Sequence, residues 1–272
     1  MVIPMMGMVV EMVACSREFA LSKNGEADFL KEFFLASPVS LPDVKGVKAI
    51  TYHLEVKDGK ELVFPENDNQ VVRPDGKGGL YVTVRPAVAA GNVAFPYAGS
   101  DAAAREAMKP TRYLQSDDPA IIELARKAVG DAGDAAEAAR RIESFVHEYI
   151  KAKDLSVGYA SAAEVAQSRQ GDCSEHAVLT AALCRAVGIP AQVVMGYVYC
   201  PQFMDQQDFF GGHAWVQVYI GDRWVGLDAT RAPGGYTAGH IAQAAGSGNP
   251  EDFFALLSIM GRFRITGIEV GN

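Results

Sequence analysis

The stretch CSEHAVLTAALCRAVGIP, residues 173–190, constrains the fold more than any other part of the chain. Ala177, Val178, Leu179, Ala181, Ala182, Leu183, Ala186 and Val187 leave hardly a polar face, so a helix built from them has to lie inside the molecule with other elements around it. Asp172 supplies an N-cap, Glu175 stands in capping-box spacing, and Gly188 with Pro190 stops the helix. The cap places Cys173 in the first turn. There, unpaired N–H groups and partial positive charge favour a thiolate over a thiol and can stabilise an oxyanion at the carbon it attacks. The helix alone leaves three readings of Cys173 open: a nucleophile, a metal ligand beside His176, or one more buried thiol. Cys184, deep in the apolar stretch, reads as a core residue, and Cys200 as an ordinary thiol at a strand end.

A hairpin about forty residues downstream narrows the choice. HAWVQVYIGDRWVGLDA registers around Gly221 and Asp222 as a two-residue turn, which sets Ile220 opposite Arg223, Trp215 opposite Asp228 and His213 opposite Thr230. Alternation then gives one face to Ala214, Val216, Val218, Ile220, Val225 and Leu227, a core surface. His213, Trp215, Asp228 and Thr230 take the other. His213 and Asp228 become diagonal neighbours, and a one-residue slip would separate them. Trp215, Tyr219 and Trp224 share that face, so it is expected to be covered, and a covered His and Asp need a hydrogen bond to each other. An oriented imidazole opposite a helix-start cysteine has the logic of nucleophile, base and orienter. In the metal reading, Cys173 and His176 would join His213 and Asp228 in a tetrahedron. His176, one turn into the helix, fits better as a cap or packing neighbour, and no metal is assigned.

Upstream the pattern changes character. Residues 47–85 have a period of two, with Ile50, Tyr52, Leu54 and Val56 on one face; with ELVFP and LYVTV they read as a small antiparallel unit. EADFLKEFFLASP reads as a short helix or an irregular connection, and residues 87–116 as a linker. From DDPAIIELARKAVG onward the period is 3.6: one helix ends at Gly130, a second opens with Asp134 and Glu137, and SAAE at 161–164 opens a third. AQVVMGYVY is a strand. Residues 200–212 and the Gly-rich stretch from Pro233 to Asn249 read as loops that shape a cleft, followed by a helix near PEDFFALLSIM and a last strand, FRITGIEV. His53 and His147 fit strand and helix surfaces, and His240 falls in the Gly-rich loop.

A net charge of −8 over 272 residues argues against a nucleic-acid groove, and no apolar run is long enough to span a membrane. Four cysteines without a C-x-x-C pair exclude a disulfide scaffold and a zinc ribbon. The opening MVIPMMGMVVEMVACSREF lacks a basic start and is interrupted by Glu11. It reads as a first strand, or as the point where the chain leaves a longer parent protein, and leaves compartment open.

Taken together, GDCSEHAVLTAALCRAVGIPAQVVMGYVY and GGHAWVQVYIGDRWVGLDAT resemble the bacterial transglutaminase-like superfamily, in particular its predicted cysteine proteases. The likeness extends upstream through RYLQSDDP and ASAAEVAQSRQGDC and covers residues 112–235. In that family a Gly-Asp-Cys helix start carries the nucleophile, His-x-Trp opens the next functional strand, and an Asp in W-x-x-x-D completes the triad. The matching positions are Cys173, His213 with Trp215, and Trp224 with Asp228. The resemblance implies an α+β, papain-like core at 101–272, its nucleophile helix packed on an antiparallel sheet, behind an N-terminal β-rich region at 1–100. It implies a peptide or protein substrate, a thioester acyl-enzyme and hydrolysis of an amide bond. Acyl transfer to an amine, or a non-catalytic binding module on the same fold, are the alternatives. Animal transglutaminases hold the oxyanion with a Trp upstream of the Cys, whereas both Trp residues here follow it. Tyr159 and Gln167, which precede the helix and can donate a hydrogen bond, are the candidates for that place, with His176 and Trp215 beside the cleft. No calcium-type D-x-D-x-D-G loop is visible and no cofactor is expected.

Overall fold

The computed structural model describes residues 2–5, 8–11, 16–17, 34–152, 160–203, 205–249 and 261–271. The opening residues form an antiparallel pair, β1 (Val2–Met5) and β2 (Met8–Glu11). A short β3 (Leu35–Ala36) lies in the stretch read as a helix or irregular connection. Strand β4 (Ala49–Val56) follows its predicted alternation, with Ile50, Tyr52 and Leu54 fully buried. The next strand is β5 (Gln70–Pro74) rather than ELVFP. Leu62 and Phe64 are buried but carry no ladder, because Asn67 ends that segment in a turn: its Oδ1 accepts the N–H groups of Asn69 and Gln70 at 2.8 and 3.1 Å. Strand β6 (Leu80–Val84) lies between β4 and β5.

The helical section begins with α1 (Ala102–Glu106), inside the expected linker, capped by Asp101. Helix α2 (Pro119–Val129) has Asp118 at its cap and Pro in its first turn, and α3 (Ala135–Tyr149) is capped by Asp134. Glu137 reaches Gly133 N at 3.0 Å, one residue before the cap, so the reciprocal half of the expected box is displaced. Helix α4 (Ala162–Ser168) opens on the predicted Ser161–Glu164 box. Helix α5 (Cys173–Ala186) is the central element, buried from Glu175 to Arg185 and packed against α2, α3, α4 and the main sheet. Each fully buried Leu or Val along it contributes about 1.5–3 kcal/mol. Arg185, 4% exposed, spends its guanidinium on backbone carbonyls, bonding Ala191 O from Nε and Nη2 and Lys109 O from Nη1, and so ties the helix end to the sheet.

That sheet is built from β7 (Ala191–Phe203), β8 (Gln206–Tyr219), β9 (Trp224–Leu227) and β10 (His240–Gly246), in the order β10-β7-β8-β3 with β9 also on β8. Two expected loops are therefore strands. Residues 200–212 belong to a long β7–β8 hairpin that continues to Phe203 opposite Gln206. Its tip is exposed at Pro201, Gln202, Phe203 and Gln207, where no core faces it, and this erases the alternation a sequence reading needs. Strand β10 occupies much of the expected Gly-rich loop, its ladder to β7 interrupted by a register shift between Ala242 and Ala244. At that point the Gln70 side chain substitutes for a neighbouring strand, accepting from Ala242 N at 2.8 Å and donating to Ala242 O at 2.9 Å. The last strand, β11 (Phe263–Gly271), pairs with β4, giving a second sheet in the order β11-β4-β6-β5. The expected helix near PEDFFALLSIM lies outside the described residues.

β10 approaches β7 closely because Gly196 has no side chain. A Cβ there would stand 2.0 Å from Ile241 O and 2.7 Å from the Trp215 ring. Gly196→Ala is expected to lower stability by about 1–3 kcal/mol in urea unfolding, since a backbone carbonyl cannot swing aside as a flexible side chain can.

Candidate active site

The cap of α5 forms as its sequence predicts. Asp172 accepts from Ser174 N at 2.9 Å and from the N3 amide, while Glu175 Oε2 accepts from Asp172 N at 3.0 Å. Glu175 does more than close the box. Fully buried, it also takes Ala160 N on Oε1 at 3.0 Å, and burial with its acidic neighbour raises its pKa. Gly171, at φ +146°, leaves room for this carboxylate: a Cβ would meet Glu175 Cβ at 2.3 Å. His176 is 1% exposed and turns Nδ1 to the Asp172 carbonyl at 2.6 Å, which makes it part of the helix start and commits that nitrogen as a donor. Cys173, at the tip of the buried helix, is partly exposed.

The hairpin takes the expected register through β9, with Val216 opposite Leu227 and Tyr219 opposite Trp224. The ladder stops there. Asp228 caps a single 3-10 turn, Ala229–Arg231, so the expected pairings of Trp215 with Asp228 and of His213 with Thr230 do not form; Thr230 N instead bonds Asp228 Oδ1 at 3.0 Å. That turn aims the other carboxylate oxygen at the imidazole, and His213 Nε2 meets Asp228 Oδ2 at 2.8 Å in a buried setting. Burial by itself would lower the His213 pKa. The charge and hydrogen bond of Asp228, together with the Cys173 thiol against the ring, outweigh it and push the value up to about 10. Asp228, equally buried, is held far below the usual carboxylate range by the two histidines bonded to it. With Nε2 engaged by Asp228, Nδ1 is the nitrogen left for the thiol.

Two residues of this network have no partner motif in the sequence, although the Gly-rich loop that carries one of them, His240, is read there as bordering the cleft. His240, at the start of β10 and fully buried, places Nε2 3.0 Å from the same Asp228 Oδ2. Glu143 on α3 accepts Asp228 N at 2.7 Å on Oε1, and burial raises its pKa. Neither had a local signal, since the residue each serves lies on another element. Trp215, 2% exposed, stands edge-on to His240 at 5.1 Å and stacks along His213 at 6.2 Å; with Tyr236 it covers the face that the aromatic pattern marked as hidden. His147 is used as well, its Nδ1 bonding Ala229 O at 2.8 Å.

The other candidates fall away from this cluster. Tyr159 lies outside the described residues. Gln167 is exposed on α4 and makes no hydrogen bond to Cys173, His213 or Asp228 among the described residues. Cys184 is buried, and burial pushes its thiol well up; Cys200 faces Arg231 Nη1 at 3.8 Å. One ligand atom each from His213, Asp228 and His240 lies within 4.8 Å of the others, a spacing a metal could use. His176, from the four-ligand set considered in the sequence, spends Nδ1 on a carbonyl instead. A cavity of about 430 Å³ is lined by Leu41, Val44, Tyr199, Arg231, Gly234 and Thr237; part of its wall comes from the Pro233–Asn249 stretch.

Residues 122–229 match the model of the transglutaminase-like superfamily. Among solved structures, the fold is similar to a Cytophaga hutchinsonii protein proposed to be a cysteine protease, at 20% identity over 82% of this chain and 86% of that one, with a TM-score of 0.51. Weaker likenesses are the periplasmic domain of TgpA from Pseudomonas aeruginosa (14% identity, 72% and 86% coverage, TM-score 0.45) and red sea bream transglutaminase (12%, 75% and 49%, TM-score 0.38). No curated protein sequence matches the chain.

Proposed function

Since residues 122–229 match the model of the transglutaminase-like superfamily, we propose that the chain is a cysteine-dependent enzyme of amide bonds, with Cys173 as nucleophile, His213 as acid and base, and Asp228 as orienter. The observation that carries this reading is the buried Asp228–His213 hydrogen bond with the Cys173 thiol against the same ring. The raised His213 pKa favours an imidazolium beside a thiolate at neutral pH.

In the reaction, Cys173 Sγ attacks the substrate carbonyl carbon and the carbonyl oxygen becomes an oxyanion. Asp172 already uses the amides of Ser174 and Glu175, and its carbonyl takes His176 N. Cys173 N is the first-turn amide left to meet the oxyanion. As the tetrahedral intermediate collapses, the C–N bond breaks and His213 gives its Nδ1 proton to the departing amine, leaving a thioester on Cys173. Water then attacks the thioester while His213 takes its proton, and the acid departs with Cys173 restored. A peptide or protein is the substrate class. No helix among the described residues is long and apolar enough to cross a membrane.

The test is alkylation near neutral pH followed by mass mapping, together with an amine-donor assay. Cys173 is expected to react ahead of Cys184 and Cys200, with a rate that EDTA leaves unchanged, and a thioester formed from an amide substrate is expected to go to water. Incorporation of a labelled amine instead of hydrolysis would move the assignment to acyl transfer, and labelling confined to Cys200 would overturn it.

A further inference from the structure

The Asp228 carboxylate has one more partner than a triad requires. Oδ1 holds Thr230 N, and Oδ2 receives both His213 Nε2 at 2.8 Å and His240 Nε2 at 3.0 Å. The protonation of His240 follows from its surroundings. Asp228 is ionised and can only accept, so His240 Nε2 carries a hydrogen. Burial depresses the His240 pKa. Nδ1 lies within the Thr237 turn, 3.1 Å from Thr237 O and 3.2 Å from Thr237 N. The surroundings of the ring complete this: Trp215 stands edge-on at 5.1 Å, Tyr236 lies at 4.7 Å, and the nearby cations are His213 and Arg231. On the far side of Asp228 stand Glu143 from α3 and, across His213, Cys173 from α5.

We propose that His240 is a positioning residue of this site: as a second donor on the shared oxygen, it holds Asp228 in place and weakens the carboxylate's grip on the His213 imidazolium, so that the proton can pass to a departing amine. The inference rests on Cys173 and His213 acting as above. A carboxylate bonded to imidazolium alone would hold the proton too firmly to release it. One that shares its charge with a second donor orients the ring at a lower cost in acidity. The arrangement also explains why β10 is drawn so tightly against β7 at Gly196. His240 pairs with Val198 and enters the cluster only if that ladder closes.

The experiment is the pH dependence of Cys173 alkylation by chloroacetamide in the full chain, which for a thiolate–imidazolium pair shows two inflections, the upper one marking loss of the imidazolium proton. His240→Leu removes the donor and is expected to move the upper inflection up by about one pH unit. His240→Gln, whose amide N–H stands near the place of Nε2, is expected to keep it at the wild-type position. An unmoved inflection in folded His240→Leu overturns the proposal, and so does an equal shift in both variants, which would point to packing. Ring ¹⁵N spectra of the wild-type protein test it even if His240→Leu fails to fold: Nε2 of His240 is expected to carry a hydrogen near neutral pH, and a neutral Nδ1–H form, which leaves Nε2 bare, would sink the idea. A single ordinary-thiol titration in the wild type would instead overturn the Cys173 reading, and this inference with it.

Discussion

Cys173→Ala is expected to abolish both thiol labelling near neutral pH and all amide-bond activity, a loss of about 10³-fold or more, with little change in unfolding midpoint. The second half of that expectation separates chemistry from structure. The start of α5 is held by Asp172, Glu175 and Gly171, none of which the substitution touches, and the thiol is partly exposed. Removing one sulfur from such a place is expected to alter stability by no more than about 0.5 kcal/mol. Cys184→Ala should behave in the opposite way. That thiol is buried along the same helix, so the unfolding midpoint falls and labelling remains. Residual activity in Cys173→Ala above a few percent of wild type would rule out the nucleophile assignment.

Asp228→Ala carries the other large effect, and it strikes activity and stability together. The carboxylate is the common acceptor of two buried imidazoles and of Thr230 N, so its loss leaves two buried donors and one part-buried donor without their partner. Breaking a buried charge pair from one side costs about 3–5 kcal/mol, enough to lower the midpoint of urea unfolding markedly. The pH dependence should change too. His213 is raised in the folded state from its ordinary 6.5 to about 10, so its contribution is fully present below about pH 6.5 and is lost as pH rises through 10. The His240 pKa is depressed in the folded state, whereas the unfolded chain binds a proton below about 6.5, so stability also falls toward acid pH. Asp228 keeps its charge well below pH 3.8, so its own contribution persists far into acid. Wild-type stability should therefore peak between about pH 6 and 7. In Asp228→Ala the decline on the alkaline side becomes much shallower, because only Cys173 then raises His213. An unchanged alkaline slope in the variant would refute the ion-pair account.

The elements most legible in the sequence are those whose determinants are local. The capped α5 carries its start signal at Asp172 and Glu175 and its stop at Gly188, and its all-apolar surface demands burial wherever it packs. The β8–β9 hairpin carries its register in its turn, and period-two alternation then puts His213 and Asp228 on one face. Where local signals were weak or shared, the reading failed. The tip of the β7–β8 hairpin is exposed because no core lies against it, and β10 is a strand because β7 and the Gln70 amide pair with it. Neither partner is adjacent in the chain.

The sequence by itself therefore determined the buried helix, the position of Cys173 at its tip, and the common face of His213 and Asp228, since turn geometry and side-chain period act over a few residues. Tertiary structure alone decided that the Asp228 carboxylate is shared with His240, that Glu143 holds its backbone, and that the C-terminal strand closes on β4. Those contacts join residues far apart in the chain. They exist only once the helix, β7 and β10 pack closely enough to bury the carboxylate, and a buried carboxylate must gather every donor within reach.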